Sequence, residues 1–155
     1  MATRVARGGS VDRIPRPQTR GAGRVAIVAL WVLGVGALAG GIALAVRPDG
    51  SIMHFDLSLL AGSPFTDYLV PGLILGGLFG LGSFAAATLG MAHHRIAPFL
   101  AFAIGCAQMI WIVIELLIIK ELSFLHPTMF GIGLVIAAAA VPWGWPTFVA
   151  WRSSR

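Results

Sequence analysis

Four long apolar runs constrain the fold of this 155-residue chain more than any other feature of its sequence. They cover residues 25–46, 68–92, 96–119 and 128–150. Each is long enough to cross about 30 Å of hydrocarbon as a helix, which takes about 20 residues. Because a chain in lipid must satisfy its own backbone hydrogen bonds, and the runs lack the alternation of barrel strands, we expect helices. The sequence therefore predicts an all-α, polytopic membrane protein with four transmembrane helices in an antiparallel bundle.

The overall composition favours the same class of protein. Apolar residues make up 57% of the chain and charged residues 11%, so a soluble protein of this size would expose an excess of apolar surface. We predict one transmembrane domain over residues 24–151, between a basic tail at 1–23 and a short basic tail at 152–155.

Basic residues are distributed unevenly around the four runs. Six arginines precede the first run, one lies between the second and third, and two follow the fourth: Arg4, Arg7, Arg13, Arg16, Arg20, Arg24, Arg95, Arg152 and Arg155. The positive-inside rule therefore places both termini in the cytoplasm and the loop at 47–67 outside. We predict a multi-pass protein of the cell membrane, whose basic charge reports its orientation and not binding to nucleic acid.

The N-terminal part of the chain has two features that bear on processing. Residues 1–23 hold too few apolar side chains to fold alone, so we predict a disordered cytoplasmic tail. The first run also ends in Ala43-Leu44-Ala45, which has the small-x-small form of a signal-peptide cleavage site. The run is longer than the typical signal core of about 7–15 residues, which favours a membrane helix. Cleavage stays open, because it would leave the orientation of the other three helices unchanged.

The stretch SPFTDYLVPG predicts the start of the second helix and a hinge. Ser63 suits an N-cap and Pro64 the first helical position, while Asp67 lies near the positive end of the helix dipole. Pro71 is expected to remove one internal hydrogen bond and, with Gly72, to bend the helix. In a second interpretation, Asp67 forms an external cation or proton site beside the carbonyl that Pro71 frees.

The external loop before this stretch is long for a simple connection. Its middle, from Phe55 to Leu60, is apolar enough to lie at the lipid surface or to fold back over the bundle as a small cap.

Glycine recurs every four residues in the second run, at Gly72, Gly76 and Gly80. Small residues let membrane helices approach closely, where no hydrophobic force drives them together. Matching faces in the other runs are Gly36 and Gly40, Ala101 and Gly105, and Gly133 and Ala137. We predict that the second helix is the central packing element, either within the chain or against another membrane protein.

The third run carries the polar residues most suggestive of chemistry. Gln108 and Glu115 are seven residues apart and so lie near one helix face, with Trp111 between them. Ionisable residues in membrane helices usually face a bundle interior or a water-filled cavity. Gln108, Glu115 and Asp67 therefore form a candidate polar path. Alternatively, Glu115 reaches headgroup water, because it lies only about 7 Å from the end of the run.

Several stretches together are typical of one kind of membrane protein. They are Pro-Asp-Gly after the first run, Ser-Pro-Phe-x-Asp-Tyr-Leu-x-Pro-Gly before the second, and Trp111-Ile112 with Glu115, leading to His126-Pro127, Gly131 and Gly133. The chain from about residue 25 to 140 thereby resembles a group of small four-helix integral membrane proteins common in actinobacteria. The resemblance implies the four-helix topology, and it implies no catalytic or binding residues because no activity is established for that group.

Three functions follow from these patterns. The sequence has no nucleophile–base arrangement, phosphate-binding loop, nucleotide fingerprint or metal-ligand spacing, so we predict no catalytic residue, metal or cofactor. The leading hypothesis is a non-enzymatic accessory or self-associating subunit, whose partners are the lipid bilayer and a second copy or another membrane protein. The alternatives are a small proton, ion or solute carrier or channel with a polar path near Glu115, and a membrane enzyme that acts on quinone or lipid through His54 and Asp56 of the external loop.

Overall fold

A computed structural model of the protein describes residues 17–119 and 123–152. Within these ranges, the regular secondary structure is entirely helical. Its four long helices are α1 (Pro17–Val46), α2 (Leu69–Met91), α3 (Ala97–Ile119) and α4 (Leu125–Arg152). Each is long and apolar enough to cross a membrane, which confirms the predicted all-helical class with four spans.

Two helices begin earlier than the apolar runs indicate. α1 begins at Pro17, before the predicted start at residue 25, because proline suits a first helical turn and the turns that follow need not be apolar. α4 begins at Leu125, before the predicted start at residue 128. The greater part of the predicted disordered tail, residues 1–16, lies outside the described residues.

Packing places each helix against two main neighbours. α1 packs along α2 and α4, and α3 packs along α4 and α2. The main core lies between them and includes Leu30, Leu33, Phe79, Ile104 and Ile136. Only 28% to 39% of the residues in each spanning window are buried, and the outward side chains are largely valine, isoleucine, leucine and phenylalanine. Such a surface suits an apolar solvent such as the bilayer.

α2 changes its helix geometry along its length. It is α-helical over Leu69–Leu73, π-helical over Ile74–Leu81 and α-helical again over Gly82–Met91. A π-helix bonds each amide to the carbonyl five residues back and is rare outside short insertions. The π segment is also where α2 packs most extensively against α1.

The start of α2 differs from the prediction. The helix begins at Leu69 with Tyr68 as its N-cap residue, and the Leu69 amide donates a 2.9 Å hydrogen bond to Asp67 Oδ1. Ser63 Oγ instead accepts the Phe65 amide at 3.2 Å, in a turn that precedes the helix. The assignment of Ser63 as N-cap and Pro64 as the first helical residue is therefore wrong.

This later start of α2 bears on the hinge predicted at Pro71 and Gly72. Pro71 falls in the first turn of α2, where backbone amides have no intrahelical acceptor in any case. The hydrogen bond that Pro71 was expected to remove is thus one that the helix would not make. A bend at Pro71 and Gly72 stays a prediction.

Residues 47–68 form a small cap over one end of the bundle, hereafter the cap end. A 3₁₀ helix, Leu57–Leu60, contacts α3. Leu60 and Tyr68 are buried with Leu44 of α1 in a second apolar cluster. Of the two arrangements predicted for this loop, the structure has the one that folds back over the bundle.

Candidate functional site

The closest approach between α1 and α2 occurs at Gly41. A Cβ atom added there would overlap the backbone of Gly76, standing 2.5 Å from its Cα and 2.7 Å from the carbonyl oxygen of Gly72. A Cβ at Gly72 would stand 2.8 Å from the Cβ of Leu44, and one at Gly80 would stand 3.1 Å from the α1 backbone. The two helices therefore pack backbone to backbone, as small residues permit in membranes.

The predicted packing glycines of α2 and α1 differ in their surroundings. Those of α2, namely Gly72, Gly76 and Gly80, all face α1. On α1 the closest contacts come from Gly34 and Gly41, while Gly40 would place a Cβ 3.2 Å from a side-chain atom of Leu75. Gly36 is exposed, and no atom of the described residues lies within 4 Å of a Cβ added there. Gly36 thus leaves an open small-residue surface on the outside of α1.

A second glycine contact joins α3 to α4. A Cβ added at Gly105 would stand 2.7 Å from the carbonyl oxygen of Gly133 and 2.8 Å from the amide nitrogen of Ala137. A Cβ at Gly133 would stand 3.0 Å from the carbonyl oxygen of Gly105 and 3.2 Å from the side chain of Gln108. The bundle is therefore built from two closely packed helix pairs.

Two buried side-chain oxygens of the described residues lack hydrogen-bond partners. Gln108 is 1% exposed and Ser83 is fully buried, and neither Gln108 Oε1 nor Ser83 Oγ has a hydrogen-bond partner among the described residues. The Phe79 and Trp111 rings, whose centroids are 6.0 Å apart, join α2 to α3 about one turn away from both. An unpartnered buried polar atom costs about 1–3 kcal/mol. Apolar packing alone does not account for these two groups.

Glu115 lies two turns from Gln108 toward the cap end, on the same face of α3. It is partly buried, and His126 of α4 lies near it. His126 is 8% exposed, and its Nδ1 accepts the Ser123 amide at 3.1 Å, so in the neutral ring the proton lies on Nε2. Glu115 therefore faces polar groups near the helix ends that the cap covers.

Tyr68 joins the cap to the start of α2. It is 4% exposed, its hydroxyl donates to the carbonyl oxygen of Asp56 at 2.8 Å, and its amide donates to the carbonyl oxygen of Pro48 at 2.9 Å. Burial, with Asp56 and Glu115 nearby, raises the pKa of Tyr68 above its ordinary 10.0. The hydroxyl therefore stays protonated and holds the cap at neutral pH.

The candidate polar path is only partly assembled. Gln108 and Glu115 share one face of α3, as their spacing predicts. The carboxylate of Asp67 is engaged at the first turn of α2 through the amide of Leu69. Its role in a path with the other two residues stays a prediction.

The residues assigned to a membrane enzyme lie in the cap. Asp56 Oδ1 accepts the Ser58 amide at 2.7 Å and caps the 3₁₀ helix, and this hydrogen bond lowers the pKa of Asp56 below its usual value. His54 is exposed and has a positive φ of 57°. Among the residues described, no group of three or more histidines, cysteines or acids could hold a metal ion.

Sequence reasoning did not assign Ser83 or Tyr68 to these polar sites. Tyr68 is predicted only as a ring at headgroup level, whereas the cap buries it. Ser83 stands between Gly82 and Phe84 in an apolar, glycine-rich run, and its sequence neighbourhood gives no signal of a polar site.

Two open grooves lie on the outside of the bundle. One lies between α1 and α4, and the other lies between α3 and α4. Both are lined almost wholly by apolar side chains.

Comparisons with models of known families, with curated proteins and with solved structures found no match for this chain. The resemblance to small four-helix membrane proteins therefore stays a prediction, and the proposed function rests on the packing geometry of the bundle.

Proposed function

We propose that this chain is a non-enzymatic, multi-pass protein of the cell membrane that acts through helix packing, as a self-associating bundle or as an accessory subunit of another membrane protein. The observation that carries this proposal is the tightly packed, glycine-lined interior. Both helix pairs meet backbone to backbone, and two open apolar grooves of the described residues lie on the outer surface. A membrane protein built in this way offers its surface, and not its interior, to a partner.

We infer an antiparallel bundle with both termini in the cytoplasm. Along the contact between α1 and α2, residue numbers increase in α1 while they decrease in α2: Gly34 lies by Gly80, and Leu44 lies by Gly72. The contacts between α3 and α4 also run in opposite directions along the two helices. The distribution of arginine then supports a cytoplasmic location for the end opposite the cap.

The exposed surface around Gly36 is the face that we assign to association. Val32, one turn before Gly36, is 55% exposed and Val35 beside it is 59% exposed, so large apolar side chains border an open glycine in α1. A second helix can approach closely at such a position and gain dispersion contacts along its length. A second copy of this chain supplies the same surface.

Replacement of Gly36 tests this assignment without disturbing the interior. Gly36→Leu adds its side chain where the described residues leave space, so the monomer should fold normally. Gly77→Leu is the matched control, because Gly77 is also exposed and has no described atom within 4 Å of an added Cβ. We expect chemical crosslinking in native membranes to lose the assembly in Gly36→Leu and to keep it in Gly77→Leu. Equal crosslinking in both variants would contradict the assignment.

A second candidate function is a small carrier of protons, ions or solutes. The pair of unpartnered interior groups, Gln108 Oε1 and Ser83 Oγ, favours it, because Glu115 lies on the same face of α3 as Gln108. Transmembrane polar groups without structural partners commonly mark transport paths.

Proton flux into proteoliposomes, followed with a lumenal pH dye, tests the carrier. If the path is used, Glu115→Gln abolishes the flux while Asp49→Asn, a change at an exposed acid of the cap, leaves it intact. Flux that Glu115→Gln does not alter would exclude Glu115 as a carrier residue.

A further inference from the structure

The groove between α1 and α4 combines apolar walls with a single cation. Its lining consists of Arg24, Val25, Val28, Ala29, Val32, Ile132 and Val135. Of these, only Arg24 is charged, and the lining includes no acid to neutralise it. We propose that this groove binds one anionic phospholipid, with an acyl chain along the valines and the phosphate at the Arg24 guanidinium.

The walls of the groove fit an acyl chain. Val25, Val28 and Val32 are 50%, 62% and 55% exposed, so their side chains are open to an apolar ligand. From Arg24 to Val32 the groove runs about 12 Å along α1, close to the thickness of about 15 Å that one leaflet contributes to the hydrocarbon. Valine and isoleucine are stiff at χ1, so the walls hold their shape.

The charged end of the groove fits a phosphate. Arg24 is exposed, and Arg20 lies one turn earlier on the same side of α1 and is also exposed. A guanidinium can donate two parallel hydrogen bonds to a phosphate, and a long basic side chain near a helix end extends to the headgroups. A zwitterionic headgroup would not complement two adjacent cations as well as an anionic one.

The second groove provides a comparison within the same molecule. It is lined by Pro98, Phe99, Phe102, Ala140, Val141, Gly144 and Trp145. None of these side chains carries a charge, so this groove offers an apolar surface with no cation for a phosphate. Selective retention of anionic lipid should therefore depend on Arg24.

Native mass spectrometry of the full chain from mixed micelles tests the proposal. The probes are phosphatidylglycerol and phosphatidylcholine with identical acyl chains, in equal amounts. We expect one phosphatidylglycerol to be retained in preference, and Arg24→Gln to reduce its retention about fivefold, the factor for one basic residue near an anionic headgroup. Arg95→Gln removes an exposed arginine outside the groove lining and should leave retention unchanged. Equal retention of the two lipids, or equal loss in the two variants, would overturn the proposal.

A second pair of variants tests the groove itself. Val28→Trp fills the groove and should displace the lipid while Arg24 remains, whereas Val113→Trp changes an exposed valine of α3 outside both groove linings. Unchanged lipid retention in Val28→Trp would refute the assignment. So would a dimer without bound lipid that dissociates in Val28→Trp but not in Val113→Trp, because the groove would then be an interface between chains. Because Gly36 lies outside the lining, Gly36→Leu should leave lipid retention intact, which separates this proposal from the proposed function.

Discussion

Replacement of Gly41 by alanine should force α1 away from α2 and lower the free energy of unfolding by about 3 kcal/mol. The added methyl group would stand 2.5 Å from the Cα of Gly76 and 2.7 Å from the carbonyl oxygen of Gly72. Non-bonded carbon atoms are at their best separation near 3.5–4.0 Å, so the helices must move apart by about 1 Å. Both obstacles are backbone atoms, which cannot rotate away. The cost therefore falls at the upper end of the range of about 1–3 kcal/mol for overpacking.

Two matched variants add the same methyl group at positions where it does not overlap the backbone of the neighbouring helix. Gly76→Ala changes the other side of the same contact, but its Cβ would meet the Cα of Gly41 at an ordinary 3.5 Å. Gly36→Ala adds a methyl group with no described atom within 4 Å. Both should leave stability unchanged or raise it by up to about 1 kcal/mol, since alanine is the better helix former.

Reversible unfolding in mixed micelles with increasing dodecyl sulfate, followed by circular dichroism, measures these differences. We expect Gly41→Ala to unfold at a clearly lower detergent fraction than the other two variants. Agreement of Gly41→Ala and Gly76→Ala within about 0.5 kcal/mol would refute the backbone contact between α1 and α2 at Gly41.

Three further substitutions test other parts of the structure. Gly105→Ala should lower the free energy of unfolding by about 2 kcal/mol in the same assay, because its methyl group would lie 2.7 Å from the carbonyl oxygen of Gly133; an unchanged value would contradict the α3–α4 contact. Tyr68→Phe removes the 2.8 Å hydrogen bond to the Asp56 carbonyl. It should speed amide hydrogen exchange in the cap about fivefold, which corresponds to about 1 kcal/mol. Because the pKa of Tyr68 in the folded protein is raised above 10.0, the stability that its protonated hydroxyl contributes is present below pH 10.0 and is lost as the pH rises through the folded pKa. Loss of this stability near neutral pH would contradict the role assigned to Tyr68. Gln108→Leu should leave stability unchanged or raise it, since it removes an unpartnered buried oxygen; a large loss would show that the amide has a structural partner.

The four spans were predictable because solvation by lipid requires a continuous apolar run and a helical backbone. The limits of a run mark where the apolar side chains end, which need not be where the helix ends. α1 accordingly begins at Pro17, ahead of the apolar run. The start of α2 was misplaced for a related reason: Ser63 suits an N-cap by its residue type, but the fold of the loop places its Oγ on the Phe65 amide, and α2 begins after Tyr68.

Which face of α1 contacts α2 was less predictable than the presence of the helix. A four-residue repeat of small residues points to Gly36 and Gly40, yet the closest contacts with α2 use Gly34 and Gly41, seven residues apart. Which face of a helix meets its neighbour depends on the packing of the whole bundle. The π-helical part of α2 has no distinct signal, since its glycines and leucines also suit an α-helix.

The polar groups of α3 could be placed on one face from their spacing, because Gln108 and Glu115 belong to one regular helix. Ser83 and Tyr68 could not be placed in the same way. Burial of Tyr68 depends on the return of the cap over the bundle, and burial of Ser83 depends on the packing of α2 against its neighbours. Such long-range contacts are not encoded in local periodicity.

Native mass spectrometry of the wild-type chain, extracted gently from its own membrane, tests the proposed packing function most directly. We expect a reproducible assembly heavier than one chain, either a defined multiple of it or a complex with another membrane protein. A bare monomer under conditions that preserve known membrane complexes would contradict a function based on helix packing.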